Sequence, residues 1–220
     1  LGPDYGEDSA APMGAQVCGQ CHNEYYFDPE TKVTSNPYTG LEAMTPDAIL
    51  AYYDEMGFKD WAHKDTLAPM IKVQHPEFET IYGGKQTNMA KQGYSCSDCH
   101  MGTTKNADGK EFDNHNWSSP LDNEELIAND CSQCHADIKA EVAAKQKVAI
   151  DRVNSIGNKL VTLNNKLSEI VANGSMGEDQ LNKLRDLNRT AQFYWDWVMV
   201  ENSDGAHNSA LAQDTLNKSA

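Results

Sequence analysis

The six cysteines of this chain fall into three copies of one five-residue pattern: Cys18-Gly19-Gln20-Cys21-His22, Cys96-Ser97-Asp98-Cys99-His100 and Cys131-Ser132-Gln133-Cys134-His135. None is left over. Two intervening residues let a pair of thiols add across the two vinyl groups of one haem, and the histidine next in line is carried beneath the ring to bind iron. A tetrahedral zinc site would use two of the pairs, strand the third and leave the three histidines unexplained. Disulfide pairing ignores those histidines as well. The spacing therefore predicts three covalently bound haems c, attached through Cys18, Cys21, Cys96, Cys99, Cys131 and Cys134, with His22, His100 and His135 as proximal iron ligands. The chemistry is then one-electron exchange at iron, with potentials set by ligands and burial.

Each low-spin haem also takes a sixth ligand. The donors on offer are His63, His75, His115, His207 and the methionines.

The elements that must position these residues divide the chain into three parts within one domain. Residues 1–16 are rich in Gly, Pro, Ala and acid without a hydrophobic period and read as an extended arm or linker. Residues 17–135 hold all three motifs and read as short helices and turns wrapped around cofactors. Within them, Thr45-Pro46-Asp47 predicts a helix start with Thr45 as N-cap and proline at the first position. In residues 136–220, Ala149, Val153, Ile156, Leu160, Leu163, Leu167 and Ile170 recur at the three- and four-residue steps of a long helix. Asn173-Gly174 stops it, and Ser175 with Glu178 predicts a capping box. A second helix then carries Leu181, Leu184, Leu187, Ala191, Tyr194 and Val198 on one stripe. The expected fold is mainly α, a loop-rich haem-wrapping section followed by a long antiparallel helical hairpin, whose seam packs on itself or forms a subunit interface.

The composition narrows the partners. Eighteen basic residues against 33 acidic ones give a formal charge of −15 over 220 residues, the wrong sign for holding a phosphate backbone. Such acidity suits redox partners with basic docking surfaces, or a solvated surface with no partner at all. No apolar run approaches the roughly 20 residues that span a bilayer. The chain begins at Leu1 without a basic and apolar leader, so either a signal peptide has been removed or this is a piece of something longer. Covalent haem attachment places it in the periplasm or outside the cell. The apolar share is 39%, and porphyrins packed among the side chains would supply much of the buried surface.

From Val17 through Phe27, with Cys18-Gly19-Gln20-Cys21-His22-Asn23-Glu24-Tyr25-Tyr26-Phe27, the sequence resembles the pentahaem, ammonia-forming cytochrome c nitrite reductases. The likeness continues through Ala51-Tyr52-Tyr53-Asp54, Asp60-Trp61, Ala68-Pro69-Met70, Lys72-Val73-Gln74-His75-Pro76-Glu77, the second motif with Met101, and Trp195-Asp196, in the family's order. The resemblance implies two further haem sites upstream of Cys18 in the family, one of them catalytic and bound through CxxCK. This chain has no CxxCK and no counterpart of the family's active-site arginine, so it resembles the electron-transfer half. It also implies that Tyr25 and His75 match distal-pocket groups that hydrogen-bond and protonate nitrite and its reduced intermediates. Glu24, the carbonyls of Tyr25 and Lys72, and the side-chain oxygen of Gln74 match calcium ligands, an all-oxygen set suited to a hard cation. Without a partner haem, the same residues read as haem-packing aromatics, a surface carboxylate and a structural turn.

By the same resemblance His207 is the distal ligand to the haem at Cys96 and Cys99. Met89 stands where the haem at Cys131 and Cys134 would find its ligand, or else fills a gap in the core. His115 matches the distal ligand of a haem that this chain lacks, while the haem at Cys18 and Cys21 takes its family ligand from upstream sequence. Either ligands are shared between neighbouring chains, giving a dimer or a head-to-tail filament, or His63 fills the vacancy within the chain. Three functions follow as expectations: an electron carrier, the electron-feeding part of a split nitrite reductase, and a polymer subunit that conducts.

Overall fold

The structure is a computed structural model that describes residues 10–114 and 118–220. Nine α-helices and three two-stranded ribbons are present among the described residues. The chain enters through α1 (Ala10–Ala15) and the first cysteine motif, followed by the ribbon β1 (Tyr26–Phe27) and β2 (Thr34–Ser35). Helix α2 (Pro46–Glu55) starts as its residues require: Pro46 occupies the first turn and Thr45 Oγ1 accepts the amide of Ala48 at 3.2 Å. The ribbon β3 (Trp61–Ala62) and β4 (Pro69–Met70) leads to α3 (Glu77–Tyr82) and α4 (Asn88–Lys91). The second motif forms α5 (Cys96–His100), and β5 (Thr103–Lys105) pairs with β6 (Glu111–Asp113) before α6 (Glu124–Asn129).

Two long helices follow, α7 (Ile138–Asn173) and α8 (Glu178–Val200), with α9 (Ser209–Ser219) packed across both. The hairpin is antiparallel: Gln146 reaches the carbonyl of Ser203, Trp195 Nε1 donates to Val153 O at 2.8 Å, and Asn164 pairs with Asn188. Gly174 ends α7 in the left-handed conformation, φ 57°, which glycine adopts without a Cβ clash. Ala149, Ile156, Leu160 and Leu167 of the expected seam are buried.

Three local expectations change. Residues 10–15 of the expected arm are helical, because α1 packs on α5 and Ala15 is fully buried. Helix α8 begins at Glu178 with Gly177 as N-cap and no capping side chain. Glu178 instead binds the buried Arg185 at 2.5 Å, so the carboxylate expected in a capping box serves an ion pair. Leu187 is 64% exposed, whereas Arg185, Asn188, Arg189, Gln192 and Asp196 lie inside.

That inward polar face has a task. Gln192 exchanges hydrogen bonds with both backbone groups of Ile71, Asp196 Oδ2 accepts the amide of Val73 at 2.9 Å, and Arg185 Nε donates to Thr66 O at 2.7 Å. Helix α8 thus satisfies the buried backbone of an irregular segment, which would otherwise lose its hydrogen bonds to water. The segment so held leads directly to Lys72-Val73-Gln74-His75. Around it the core gathers Tyr53, Phe58, Ile71, Val73, Phe78, Tyr82, Ile156, Phe193, Trp197 and Leu216.

Candidate haem and cation sites

The first and third motifs fold identically, as 3-10 turns over Cys18–Gln20 and Cys131–Gln133. In each, the amides of the second cysteine and the histidine return to the carbonyl of the first cysteine, at 3.1 and 2.9 Å. The second motif is a single α-helical turn, closed by Ser95 N donating to Asp98 Oδ2 at 2.6 Å. Gly19 meets Phe78 so closely that a Cβ would come within 2.6 Å of its ring, which explains glycine inside the first motif.

All six cysteines are free. Among the described residues no three His, Cys, Asp or Glu converge on one point. The motifs lie near one another: Cys96 touches Cys18, and the Cys131 thiol acts electrostatically on Cys99. Burial first, and then these neighbouring thiols, push Cys96 and Cys99 up to about 11. Both thiols therefore stay uncharged at neutral pH.

The histidine rings share a second feature. His22 Nδ1 faces Glu77 Oε2 at 3.2 Å, His135 Nδ1 faces Glu141 Oε2 at 2.8 Å, and His207 Nδ1 faces Glu201 Oε1 at 2.6 Å. His100 Nδ1 faces the carbonyl of Ser118 at 3.4 Å. An acceptor at Nδ1 fixes the proton there and leaves the Nε2 lone pair for a metal. The rings of His100 and His207 lie 6.2 Å apart. Two imidazoles bound on either face of one metal, each about 2 Å from it, put their ring centres roughly 6.4 Å apart. The separation leaves room for one metal ion between the two rings. His22 and His75 stand 6.0 Å apart, with His75 on the exposed end of its loop.

His63 is arranged the other way. Its Nδ1 accepts the amides of Asp65 and Thr66 at 3.4 and 3.3 Å, which places its proton on Nε2 and commits the ring to the turn between β3 and β4. Met89 sits on α4, 42% exposed. His115 lies outside the described residues. Sequence reasoning missed Glu77, Glu141 and Glu201. Glu141 and Glu201 each stand a short step along the chain from their histidines, a signal that was available, but Glu77 reaches His22 only through the fold.

The second cluster joins the segments around Glu24 and Gln74. Glu24 is fully buried; its Oε1 accepts from Tyr53 Oη at 2.8 Å and its Oε2 from the amide of Gln74 at 2.6 Å. The Gln74 amide group lies against the carbonyl of Lys72 at 3.3 Å, so three of the four residues matched to calcium ligands meet here. Tyr25 follows Glu24 and is half-buried beside Phe27. Glu79, also buried, accepts from the amide of Glu24 and from Tyr38 Oη on Oε1, while its Oε2 has no hydrogen-bond partner among the described residues. Burial holds Glu24 well above the ordinary carboxylate range and pushes Glu79 up to about 7. Two buried carboxyls side by side, one with an orphaned oxygen, are a donor set that a hard cation would stabilise.

The cytochrome c552 family model matches residues 2–220. The chain belongs to that family. Among curated proteins it is 38% identical, over 230 aligned positions, to the cytochrome c nitrite reductase subunit NrfA of Nitratidesulfovibrio vulgaris strain Hildenborough, covering 94% of this chain and 43% of that one. Among solved structures it matches the catalytic subunit NrfA of the cytochrome c nitrite reductase from Desulfovibrio desulfuricans ATCC 27774, a protein described for its two calcium sites. The TM-score is 0.83 with 32% identity, over 98% of this chain and 48% of that one. The chain thus spans about half the length of the relatives it matches, and shares their mainly helical fold. No helix among the described residues is long and apolar enough to cross a membrane.

Proposed function

We propose that this chain carries three haems c and serves as the electron-transfer part of ammonia-forming nitrite reduction, the catalytic haem lying in sequence other than these 220 residues. When bound, haem supplies reversible one-electron chemistry at iron. The observation that carries the reading is the three CxxCH motifs that use all six cysteines, supported by the contact of Cys96 with Cys18 and the electrostatic influence of Cys131 on Cys99. His22, His100 and His135 would hold the irons from one side, and His207 would hold the second from the other.

The enzymatic part of the reading is supported by the residues around Glu24. The Glu24–Gln74 bond joins the segment of Tyr25 to that of His75, the two side chains matched to proton donors, and both relatives are nitrite reductase subunits. Glu24, Tyr25, Lys72 and Gln74 would hold calcium beside them. The charge of −15 favours a donor with a basic docking surface, and haem attachment places the protein in the periplasm or outside the cell.

Intact mass of the purified protein tests the haem count, which should exceed the bare polypeptide by three haems. A colourless protein with the mass of its amino acids overturns the proposal. Reduced viologen should reduce the chain rapidly without forming ammonium from nitrite, and ammonium should form once a polypeptide bearing the CxxCK haem is supplied. Ammonium produced by the chain alone would refute the placing of the catalytic haem elsewhere.

A further inference from the structure

Glu77, Asn202 and Glu201 form a continuous brace between two of the candidate iron ligands. Glu77 Oε2 faces His22 Nδ1 at 3.2 Å, while its Oε1 accepts both the amide and the side-chain nitrogen of Asn202, at 2.9 and 2.7 Å. The next residue back, Glu201, holds His207 Nδ1 at 2.6 Å. Glu201 is itself caged. Ser203 Oγ and the Gly205 amide donate to its Oε2, at 2.6 and 3.3 Å, and the Ser203 amide donates to its Oε1 at 3.3 Å. Ser203 Oγ in turn accepts the amide of His207 at 2.8 Å, closing the loop.

Both carboxylates are nearly inaccessible, Glu77 at 6% and Glu201 at 3% exposure. The Glu201 charge, facing a His207 side chain that is 27% exposed, is therefore little screened by water, whereas Glu77 faces a His22 side chain that is 47% exposed. The third carboxylate–histidine pair differs: the Glu141 side chain is 41% exposed. An anion accepting the Nδ1 proton raises the basicity of an imidazole, and a more basic ligand favours ferric over ferrous iron.

We propose that Glu201 and Glu77 are positioning residues that fix His207 and His22 as iron ligands and lower the potentials of the haems at Cys96/Cys99 and Cys18/Cys21. Asn202 couples the two, so that neither ligand turns without the other. The haem at Cys131/Cys134, whose histidine pairs with a solvated carboxylate, is left at the higher potential. This rests on the haem reading and on His207 as a ligand, both proposed above.

The test is spectropotentiometry and low-temperature electron paramagnetic resonance of the haem-loaded protein. Glu201→Gln keeps an acceptor but removes the charge. It should shift the ferric preference of the second haem at least ten-fold towards ferrous, about 59 mV for one electron, with its two-histidine low-spin signal retained. Glu141→Gln should move its haem by less than half as much. Ser203→Ala, which only loosens the cage, should shift the second haem in the same direction by a smaller amount and covers the case in which Glu201→Gln fails to load haem. Asn202→Ala should broaden the low-spin signals of both the first and second haems. Unchanged potentials in Glu201→Gln and Ser203→Ala overturn the proposal, as do equal shifts in Glu201→Gln and Glu141→Gln. The underlying ligand assignment fails separately: if His207→Ala leaves the second haem low-spin and six-coordinate, His207 is not its ligand.

Discussion

Gly19 shows how one residue inside a chemical motif also answers to the core. The CxxCH pattern leaves its two middle positions free, and the sequence alone gives no reason for glycine at the first. The structure presses that position against the buried ring of Phe78 on α3, the helix whose Glu77 faces His22. Gly19→Ala forces the ring or the motif to move, and overpacking of this kind costs about 1–3 kcal/mol. The expected outcome is a lower midpoint in thermal unfolding, together with, on the proposed haem reading, an altered absorption spectrum of the haem at Cys18 and Cys21. Gln20→Ala, at an exposed position of the same turn, should leave both unchanged.

At the scale of elements, α8 was legible from its leucines but not from its function. The stripe predicts an apolar face, yet the side chains that decide the site are Arg185, Gln192 and Asp196, polar residues facing inward onto an irregular strand. Their partners are more than a hundred residues away along the chain, and no local pattern connects them. Asp196→Ala strips the Val73 amide of its buried acceptor, at a cost of about 1–3 kcal/mol. Hydrogen exchange at Val73 should accelerate and the denaturant midpoint should fall, while Asp196→Asn, which keeps an oxygen there, should lose less. The expected capping box at Ser175 failed for a related reason, since a buried arginine outcompeted the helix end for Glu178.

For the whole molecule, the C-terminal helix is clasped to the front of the fold by Asp47. Lys218 donates to its Oδ1 at 2.6 Å and Tyr194 donates at 2.7 Å, with Lys85 adding a further favourable charge. Burial opposes ionisation here, but the bonds from Lys218 and Tyr194 win and hold Asp47 below the ordinary carboxylate range. A depressed carboxylate stabilises the fold above its unfolded value, about 3.9, and that stabilisation is lost as pH falls through the folded value. The side chain is 58% exposed, so solvent screening limits the effect to at most about 1 kcal/mol. Asp47→Asn should therefore be less stable than the parent near pH 6, and the gap should close below about pH 4, as read from urea midpoints. A gap that widens on acidification would contradict this sign.

Residue type and spacing alone determined the three attachment motifs, the long hairpin with its stop at Gly174, and the start of α2 at Pro46, because each depends on atoms only a few bonds apart along the chain. The resemblance carried by Glu24, Tyr25, Lys72, Gln74 and His75 pointed to the same family that the comparisons show. Tertiary structure decided which motifs touch, which carboxylates stand behind His22, His135 and His207, and which polar residues are buried. Those contacts join residues such as His22 and Glu77, or Val73 and Asp196, that only the packing of distant segments brings within hydrogen-bonding reach.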